Sequence, residues 1–280
     1  MTGAASFLPL VFALLAAGGV AGFAGGLFGI GGGFIVVPAL VLILPLMGAT
    51  TEQVIHVAVG TSLATIIFTS LRSVRSHARR GAVDGALLKS WAPWVVGGTI
   101  AGAVVADLVS GATLATIFGA GVLLFAGHFL TPAITPTTAP RDAPGQAVRG
   151  HPDGAAKIAL ASGTGLLSAL LGIGGGTIAT MVMTVYGMPI HRAIGTASGL
   201  GAIIAIPGAS GFMLIGRAET GLPWGSVGYV NLPAALAIIT TAVLCAPLGV
   251  AAAHRLSPVL LRTVFGLYLI LAGVTMIANQ

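Results

Sequence analysis

Long apolar segments, separated by short polar or glycine-rich breaks, make up almost the whole chain. A membrane-spanning helix needs about 20 consecutive apolar residues. By this criterion the pattern predicts ten helices, near residues 7–28, 33–47, 56–71, 88–106, 113–130, 156–171, 176–187, 191–214, 229–253 and 258–277. The second, sixth and seventh helices look too short to cross with full apolar length, so we expect re-entrant or broken forms there.

The polar stretches between these helices predict how the chain is divided. The most charged stretch follows the third helix and contains Arg72, Arg75, His77, Arg79, Arg80, Asp84 and Lys89. A second polar segment, residues 215–228, has an interfacial composition, and residues 131–155 form a Pro-rich, water-exposed linker. We therefore expect a first membrane repeat at 1–130, a cytoplasmic linker at 131–155 and a second membrane repeat at 156–280.

The two predicted halves share three short motifs in the same order. Gly29-Ile30-Gly31-Gly32-Gly33 returns as Gly172-Ile173-Gly174-Gly175-Gly176, and these segments are called the first and second glycine motifs below. The His-x-Ala-x-Gly-Thr sequence at 56–61 returns at 191–196, and Ile117-Phe118-Gly119 corresponds to Val264-Phe265-Gly266. About five hydrophobic segments per half is an odd number, which predicts that the two repeats are inverted relative to each other.

Composition excludes a soluble protein. Of the 280 residues, 56% are hydrophobic and only 6% are charged, whereas an ordinary soluble domain has about 25% charged residues. The mean hydropathy is +1.05. The predicted fold class is therefore an all-α polytopic membrane protein, with the lipid bilayer as its surroundings.

The excess of basic residues is explained by membrane topology. With the stretch after the third helix in the cytoplasm, nearly every Lys and Arg falls on the cytoplasmic side, as the positive-inside rule requires. Only Arg217 falls outside, and both termini face the periplasm. The net charge of +6 therefore gives no reason to expect a nucleic-acid partner.

The two glycine motifs are the main candidates for a substrate site. Glycine costs about 1 kcal/mol relative to alanine in a helix interior, so four glycines in five residues should interrupt a helix. The next helix then presents unpaired N–H groups and the positive end of its dipole, which suits an anion. Close helix packing through small residues is the alternative explanation. The candidate residues are Gly29, Gly31, Gly32, Gly33, Gly172, Gly174, Gly175 and Gly176.

Hydroxyl and basic side chains near the shared motifs are further candidates. Hydroxyl groups could line the site without adding charge, or bond to helix backbones instead. A second group could act in gating or proton relay, because histidine titrates near neutrality, although interfacial positions explain these residues equally well. The hydroxyl candidates are Thr61, Ser62, Thr196 and Ser198, and the gating candidates are His56, His191 and Arg192.

Other chemistries find little support. No carboxylate lies deep in a predicted helix, there is no P-loop, and no His, Cys or carboxylate cluster suggests a metal, so we expect no cofactor. Gly208-Ala209-Ser210-Gly211 resembles an intramembrane serine protease motif, but His254 is expected at the opposite membrane face. Cys245 is alone, and we interpret it as a small core residue. An enzyme is therefore not expected.

At these residues the chain resembles the sulfite exporter TauE/SafE family, also called the toluene-sulfonate uptake permease family. The resemblance rests on the paired glycine motifs, Pro38, the segment from His56 to Ser62, the basic stretch after the third helix and the polar linker. It covers about residues 20–277. It implies a bacterial inner-membrane carrier for sulfur-containing anions such as sulfite, sulfoacetate or other organosulfonates.

Together these observations predict a secondary transporter that exports a sulfur-containing anion by alternating access. With the cell interior negative, an uncoupled carrier favours anion efflux. An anion channel, or a sulfonate importer coupled to a cation, is the alternative. A homodimer is a further option on which the sequence is silent.

Overall fold

Helices dominate the structure, in the order that the hydrophobic pattern predicts. The computed structural model describes residues 3–28, 31–130, 152–253 and 258–278. Short 3₁₀ turns follow α2 and α8, and two short strands, β1 (Ser226–Val227) and β2 (Val230–Asn231), pair antiparallel before α9. The helices are α1 (Gly3–Phe28), α2 (Gly33–Ile43), α3 (Val54–Ala78), α4 (Gly85–Leu108), α5 (Gly111–Leu130), α6 (Gly154–Leu170), α7 (Gly176–Val185), α8 (Ile190–Ile215), α9 (Leu232–Ala253) and α10 (Pro258–Ala278).

Helix lengths and composition confirm an all-α polytopic membrane protein. Within the described residues, five segments are long and apolar enough to cross a bilayer: Leu8–Leu27, Val54–Ala78, Gly85–Leu108, Arg192–Ala218 and Leu232–Gly249. By contrast, α2 has 11 residues and α7 has 10. At 1.5 Å rise per residue each is about 16 Å long, roughly half of the bilayer core. The prediction that the second, sixth and seventh helices are short is therefore confirmed, α6 having 17 residues, and their re-entrant form stays a prediction.

The predicted end of the third helix at residue 71 is wrong. α3 continues to Ala78 and carries Arg72, Arg75 and His77 on its last two turns. Hydropathy changes where the lipid ends, but a helix can continue into water when its residues tolerate it. Basic side chains near a helix C-terminus also interact favourably with the helix dipole. Only the short segment 79–84 connects α3 to α4.

The helices pack in pairs that relate the two halves. α1 packs along α9 and α4 along α6, while α3 packs on α8 and α5 on α10. The shared motifs align α1 with α6, α3 with α8, α4 with α9 and α5 with α10. Exchanging each helix for its counterpart turns the α1–α9 pair into the α6–α4 pair and leaves the α3–α8 and α5–α10 pairs as they are. The contact pattern therefore follows the repeat that the shared motifs predict.

Within two of these pairs the counterpart helices run antiparallel. On α3 and α8, Ser73 meets Ser198, whereas Gly60, earlier on α3, lies against Phe212, later on α8. On α5 and α10, Gly119 lies beside the end of α10, whereas Gly266 contacts Leu130. Antiparallel counterparts favour an inverted relation between the halves, which stays a prediction.

Most of the proposed linker, residues 131–151, lies outside the described residues.

Small residues let the paired helices approach closely. Gly98 on α4 faces the backbone of Ser162 on α6, so that a Cβ at this position would overlap the Ser162 carbonyl group. Gly97, the preceding residue, is exposed and has open space around it. Close approach of this kind is how membrane helices gain packing energy without a hydrophobic driving force.

Gly98→Ala should therefore destabilise the protein by separating α4 from α6, since overpacking typically costs about 1–3 kcal/mol. Gly97→Ala is the matched control and should be neutral or slightly stabilising, because alanine favours the helix. Thermal unfolding of both variants in detergent measures the difference. Equal melting temperatures for the two variants would contradict the packing role of Gly98.

Candidate functional site

The two glycine motifs meet inside the protein. Gly33 lies against the second motif so closely that a Cβ on it would be 2.5 Å from the carbonyl oxygen of Gly172 and 3.0 Å from the Cα of Ile173. Ser62 Oγ on α3 donates a hydrogen bond of 2.7 Å to the same Gly172 oxygen. The structure thus brings both motifs and Ser62 together in one buried contact.

The fourth glycine-motif residue is left-handed in each half, and the residue after it starts a half-length helix. Gly32 has φ 78° and precedes α2, and Gly175 has φ 64° and precedes α7. L side chains rarely adopt this backbone conformation, so glycine is strongly favoured at both positions. Neither helix start has a side-chain cap, so both present a bare helix N-terminus, the kind of group that attracts an anion. Gly29 lies outside the described residues.

A cavity of about 560 Å³ leads from these helix starts to the basic end of α3. Gly31 of the first motif and Gly174 and Gly176 of the second line its inner end, away from these basic residues. Small and apolar residues form one wall, on α1 and α9: Ala21, Gly22, Gly25, Gly26, Ile238, Ala242, Val243, Ala246 and Pro247. The cavity therefore joins the two glycine motifs to a cationic opening.

The opposite wall is a polar face of α3. Thr65, Thr69, Ser73 and Ser76 follow one another at helical spacing, so their side chains share one face. Basic side chains surround them at and just beyond the C-terminal end of α3: Arg72, Arg75, His77, Arg79 and Arg80. The predicted site did not include this face, since hydropathy ends the third helix at residue 71, before Ser73 and Ser76. The repeated Ser, Thr and Arg spacing would have revealed it once the helix was extended.

Ser198 is the one predicted hydroxyl residue that lines the cavity in the described structure. Its Oγ lies 2.9 Å from the Ile194 carbonyl oxygen and 3.0 Å from Ser73 Oγ. The contact joins α8 to the polar face of α3. Ser198 therefore lines the cavity and also connects α8 to α3 through its contact with Ser73.

Thr61 and Thr196 are buried away from the cavity and occupy equivalent positions. Thr61 Oγ1 accepts a 2.9 Å hydrogen bond from the backbone N–H of Asn231, and Thr196 Oγ1 accepts one of the same length from Asp84. Asn231 and Asp84 in turn cap the starts of α9 and α4 through their side chains. Each threonine therefore joins its own half to a helix start of the other half.

Two of the three gating candidates, Arg192 and His56, lie outside the cavity lining. Arg192 forms a 3.0 Å ion pair with Asp84, which itself is almost buried. His56 is buried, its Nε2 lies 2.9 Å from the Ala106 carbonyl oxygen, and its ring stacks on Tyr229 at 5.0 Å between centroids. The side chain of His191 is not among the described ones.

Tyr229 lies between β1 and β2, beside the N-terminal end of α3. Burial, with the negative charges of Glu219, Asp107 and Glu52, raises the pKa of Tyr229 to about 12. The phenol is therefore neutral at physiological pH and serves His56 as an uncharged stacking partner.

The other candidate chemistries gain no structural support from the described residues. His254 lies outside them, so a Ser210–His254 pair is not tested. Cys245 is half-buried on α9, near Gly19 of α1, and does not line the cavity. Within the described ranges, no three His, Cys, Asp or Glu residues are arranged to hold a metal ion.

A polytopic helical fold around a cavity with a cationic opening is typical of membrane transporters. Residues 14–276 match the family described as Sulfite exporter TauE/SafE, and the chain belongs to this family. It is 30% identical over 273 residues to a protein of Haemophilus influenzae named "Probable membrane transporter protein", covering 94% of this chain and 96% of that one. A protein of Methanocaldococcus jannaschii with a similar name is 27% identical over 279 residues, covering 97% of each chain. No solved structure matches the chain significantly.

Removing either buried threonine hydroxyl should destabilise the protein. Thr61→Val and Thr196→Val each leave a buried backbone N–H without its acceptor, which costs about 1–3 kcal/mol. Thr240→Val is the control, because the Thr240 hydroxyl is exposed and bonds only within its own helix. Thermal unfolding should show clear losses for the first two variants and little for the third, and three equal values would contradict the role assigned to these hydrogen bonds.

Proposed function

We propose that the protein is a secondary transporter that exports a small sulfur-containing anion, such as sulfite or an organosulfonate like sulfoacetate, across the bacterial inner membrane. The proposal is carried by one observation, the cavity that leads from both glycine motifs to the basic end of α3. Transport proceeds by alternating access, with both termini in the periplasm. The antiparallel packing of α3 on α8 supports the inverted repeats that this mechanism needs.

Recognition of the anion follows the chemistry of the cavity from its opening inwards. The arginines at the opening attract the anion from the cytoplasm and raise its local concentration. The hydroxyls of Thr69, Ser73 and Ser198 then offer hydrogen bonds without a full positive charge. At the inner end, the N-termini of α2 and α7 present the positive ends of their dipoles. Such a site binds an anion weakly enough to release it.

The size and polarity of the cavity favour an organosulfonate among the sulfur anions. Sites for small organic ligands occupy roughly 300–1,000 Å³, and this cavity, at about 560 Å³, falls within that range. The wall formed by α1 and α9 is apolar and suits a carbon skeleton, whereas the α3 wall suits the sulfonate group. Sulfite would occupy only part of this space.

Export agrees with the electrical driving force. A membrane potential of 100 mV, inside negative, favours the efflux of each negative charge by about 2.3 kcal/mol. The name of the family includes sulfite export. Import coupled to a cation is the alternative, and it would need an inward gradient of that cation.

The extent of the cavity favours a carrier over a channel or an enzyme. Among the described lining residues, none on α3 precedes Thr65, and the outer half of this helix is buried. A channel would need a continuous pore past this point. No residue of the cavity is assigned a catalytic role, and no enzymatic function is proposed.

Bulky replacement of the helix-starting glycines should end transport. Gly32→Val and Gly175→Val place a branched side chain at positive φ, next to Ala21 and Ile204 respectively, and distort the helix N-termini. Gly97→Val, in open space on α4, is the control. We expect saturable counterflow of labelled sulfoacetate or sulfite in liposomes for the wild type and the control, and a loss of at least about tenfold for the two variants, which corresponds to 1.4 kcal/mol. Full transport by both variants, with normal membrane insertion, would contradict the proposal.

Removing charge at the cavity opening should weaken transport in a salt-dependent manner. The double variant Arg72→Gln, Arg75→Gln should raise the KM for a sulfonate about fivefold at low ionic strength, since exposed charges contribute up to about 1 kcal/mol each. Lys157→Gln, a basic residue of α6 outside the cavity lining, should leave the KM unchanged. A KM shift of equal size at high salt, or in the Lys157 variant, would argue against electrostatic attraction at the opening.

A further inference from the structure

Two buried hydroxyl groups beside the second glycine motif have no hydrogen-bond partner. Ser168 is 0% exposed and Thr177 is 7% exposed, and within the described part of the chain neither Oγ of Ser168 nor Oγ1 of Thr177 is bonded. Nearly all buried polar groups in proteins are hydrogen-bonded, because an unpaired one is energetically unfavourable. The two hydroxyls therefore call for a physical explanation.

Both hydroxyls belong to the region where α7 begins. Ser168 Oγ lies 2.9 Å from the place that a Cβ on Gly175 would occupy, and Gly175 is the residue before α7. Thr177 is the second residue of this ten-residue helix. The backbone N–H groups of a first helical turn point away from the helix and need partners of their own. Unpaired hydroxyls and a helix N-terminus thus occur together.

The repeat shows what this region corresponds to in the first half. By alignment of the glycine motifs, Thr164 and Ser168 on α6 stand where α1 has Ala21 and Gly25, which line the cavity. By alignment of the histidine motifs, Leu200 and Ile204 on α8 stand where α3 has its cavity-lining residues Thr65 and Thr69.

The hydroxyl side chains around the helix start therefore lie on different helices in the two halves. They lie on α3 in the first half and on α6 in the second. In the second half Ile204 Cδ1 fills the space beside Gly175 and Ser168, so this side of the α7 start is covered, whereas Gly174 and Gly176 line the cavity.

We propose that Ser168 and Thr177 are substrate ligands of a second anion half-site on the Ser168 side of the N-terminus of α7, which Ile204 covers in this conformation. The helix dipole selects an anion over a cation, because its N-terminal end is positive. The half-site rests on the proposed transport function and adds the ligands that the carrier offers when access changes to the other side. The two hydroxyls are then unpaired because their partner is the substrate.

The test separates ligand binding from folding. Ser168→Ala and Thr177→Val remove a hydroxyl that bonds to nothing in the empty protein, so the unliganded melting temperature should stay the same or rise. The counterflow KM for sulfoacetate should rise about tenfold, and the thermal shift caused by sulfoacetate or sulfite should shrink. Thr184→Val is the matched control on α7, because its hydroxyl already bonds to backbone carbonyls of its own helix, and it should leave KM unchanged.

Each remaining outcome is decisive. Unchanged KM and an unchanged anion-induced shift in both variants would overturn the half-site, as would a lower melting temperature with no effect on binding, which indicates a purely structural role. If the wild type transports neither sulfite nor sulfoacetate, the proposed function is wrong. The half-site is then judged by the thermal shift with sulfate and phosphate. A wild-type shift that both variants lose supports it, and a shift that they keep, or no shift at all, overturns it.

Discussion

The rest of the structure depends on the contact between the two glycine motifs. Gly33 packs against the backbone of Gly172 and Ile173, and Ser62 on α3 donates a hydrogen bond to the Gly172 carbonyl oxygen. A side chain at position 33 would separate these backbones and, with them, the starts of α2 and α7. This contact brings the start of α2 against the segment that precedes α7 in the protein interior, where residues of both glycine motifs line the end of the cavity.

For the anion carrier proposed above, the chemical consequence would be selectivity for an anion without a buried charge. The cavity places its arginines at the opening and only hydroxyls and backbone dipoles further in. A buried Arg or Lys would hold an anion strongly but would carry a large desolvation penalty whenever the site was empty. Hydroxyls and helix termini attract the same ligand at a smaller penalty, which suits a site that must fill and empty repeatedly.

Much of the fold could be predicted from the sequence, but much less of the site. The ten helices and the two breaks follow from hydropathy and from glycine, both of which act locally. The true end of α3 could not be predicted from hydropathy, because the helix extends past the apolar region, and the polar cavity wall was missed for that reason. The roles of Thr61 and Thr196 depend on backbone groups in the opposite half, and no local pattern indicates such partners.

The same two hydrogen bonds can form only late in biosynthesis, because each joins residues that are far apart in the sequence. Thr61 pairs with a residue 170 positions later, and Thr196 with one 112 positions earlier. At about 5–20 residues per second, the ribosome adds the partner of Thr61 roughly 10–30 s after Thr61 itself. During that interval the threonine must remain unpaired or use a temporary partner in the translocon or in its own helix. The first half is thus inserted as an incomplete structure, and its final hydrogen bonds form only when most of the second half has been synthesised.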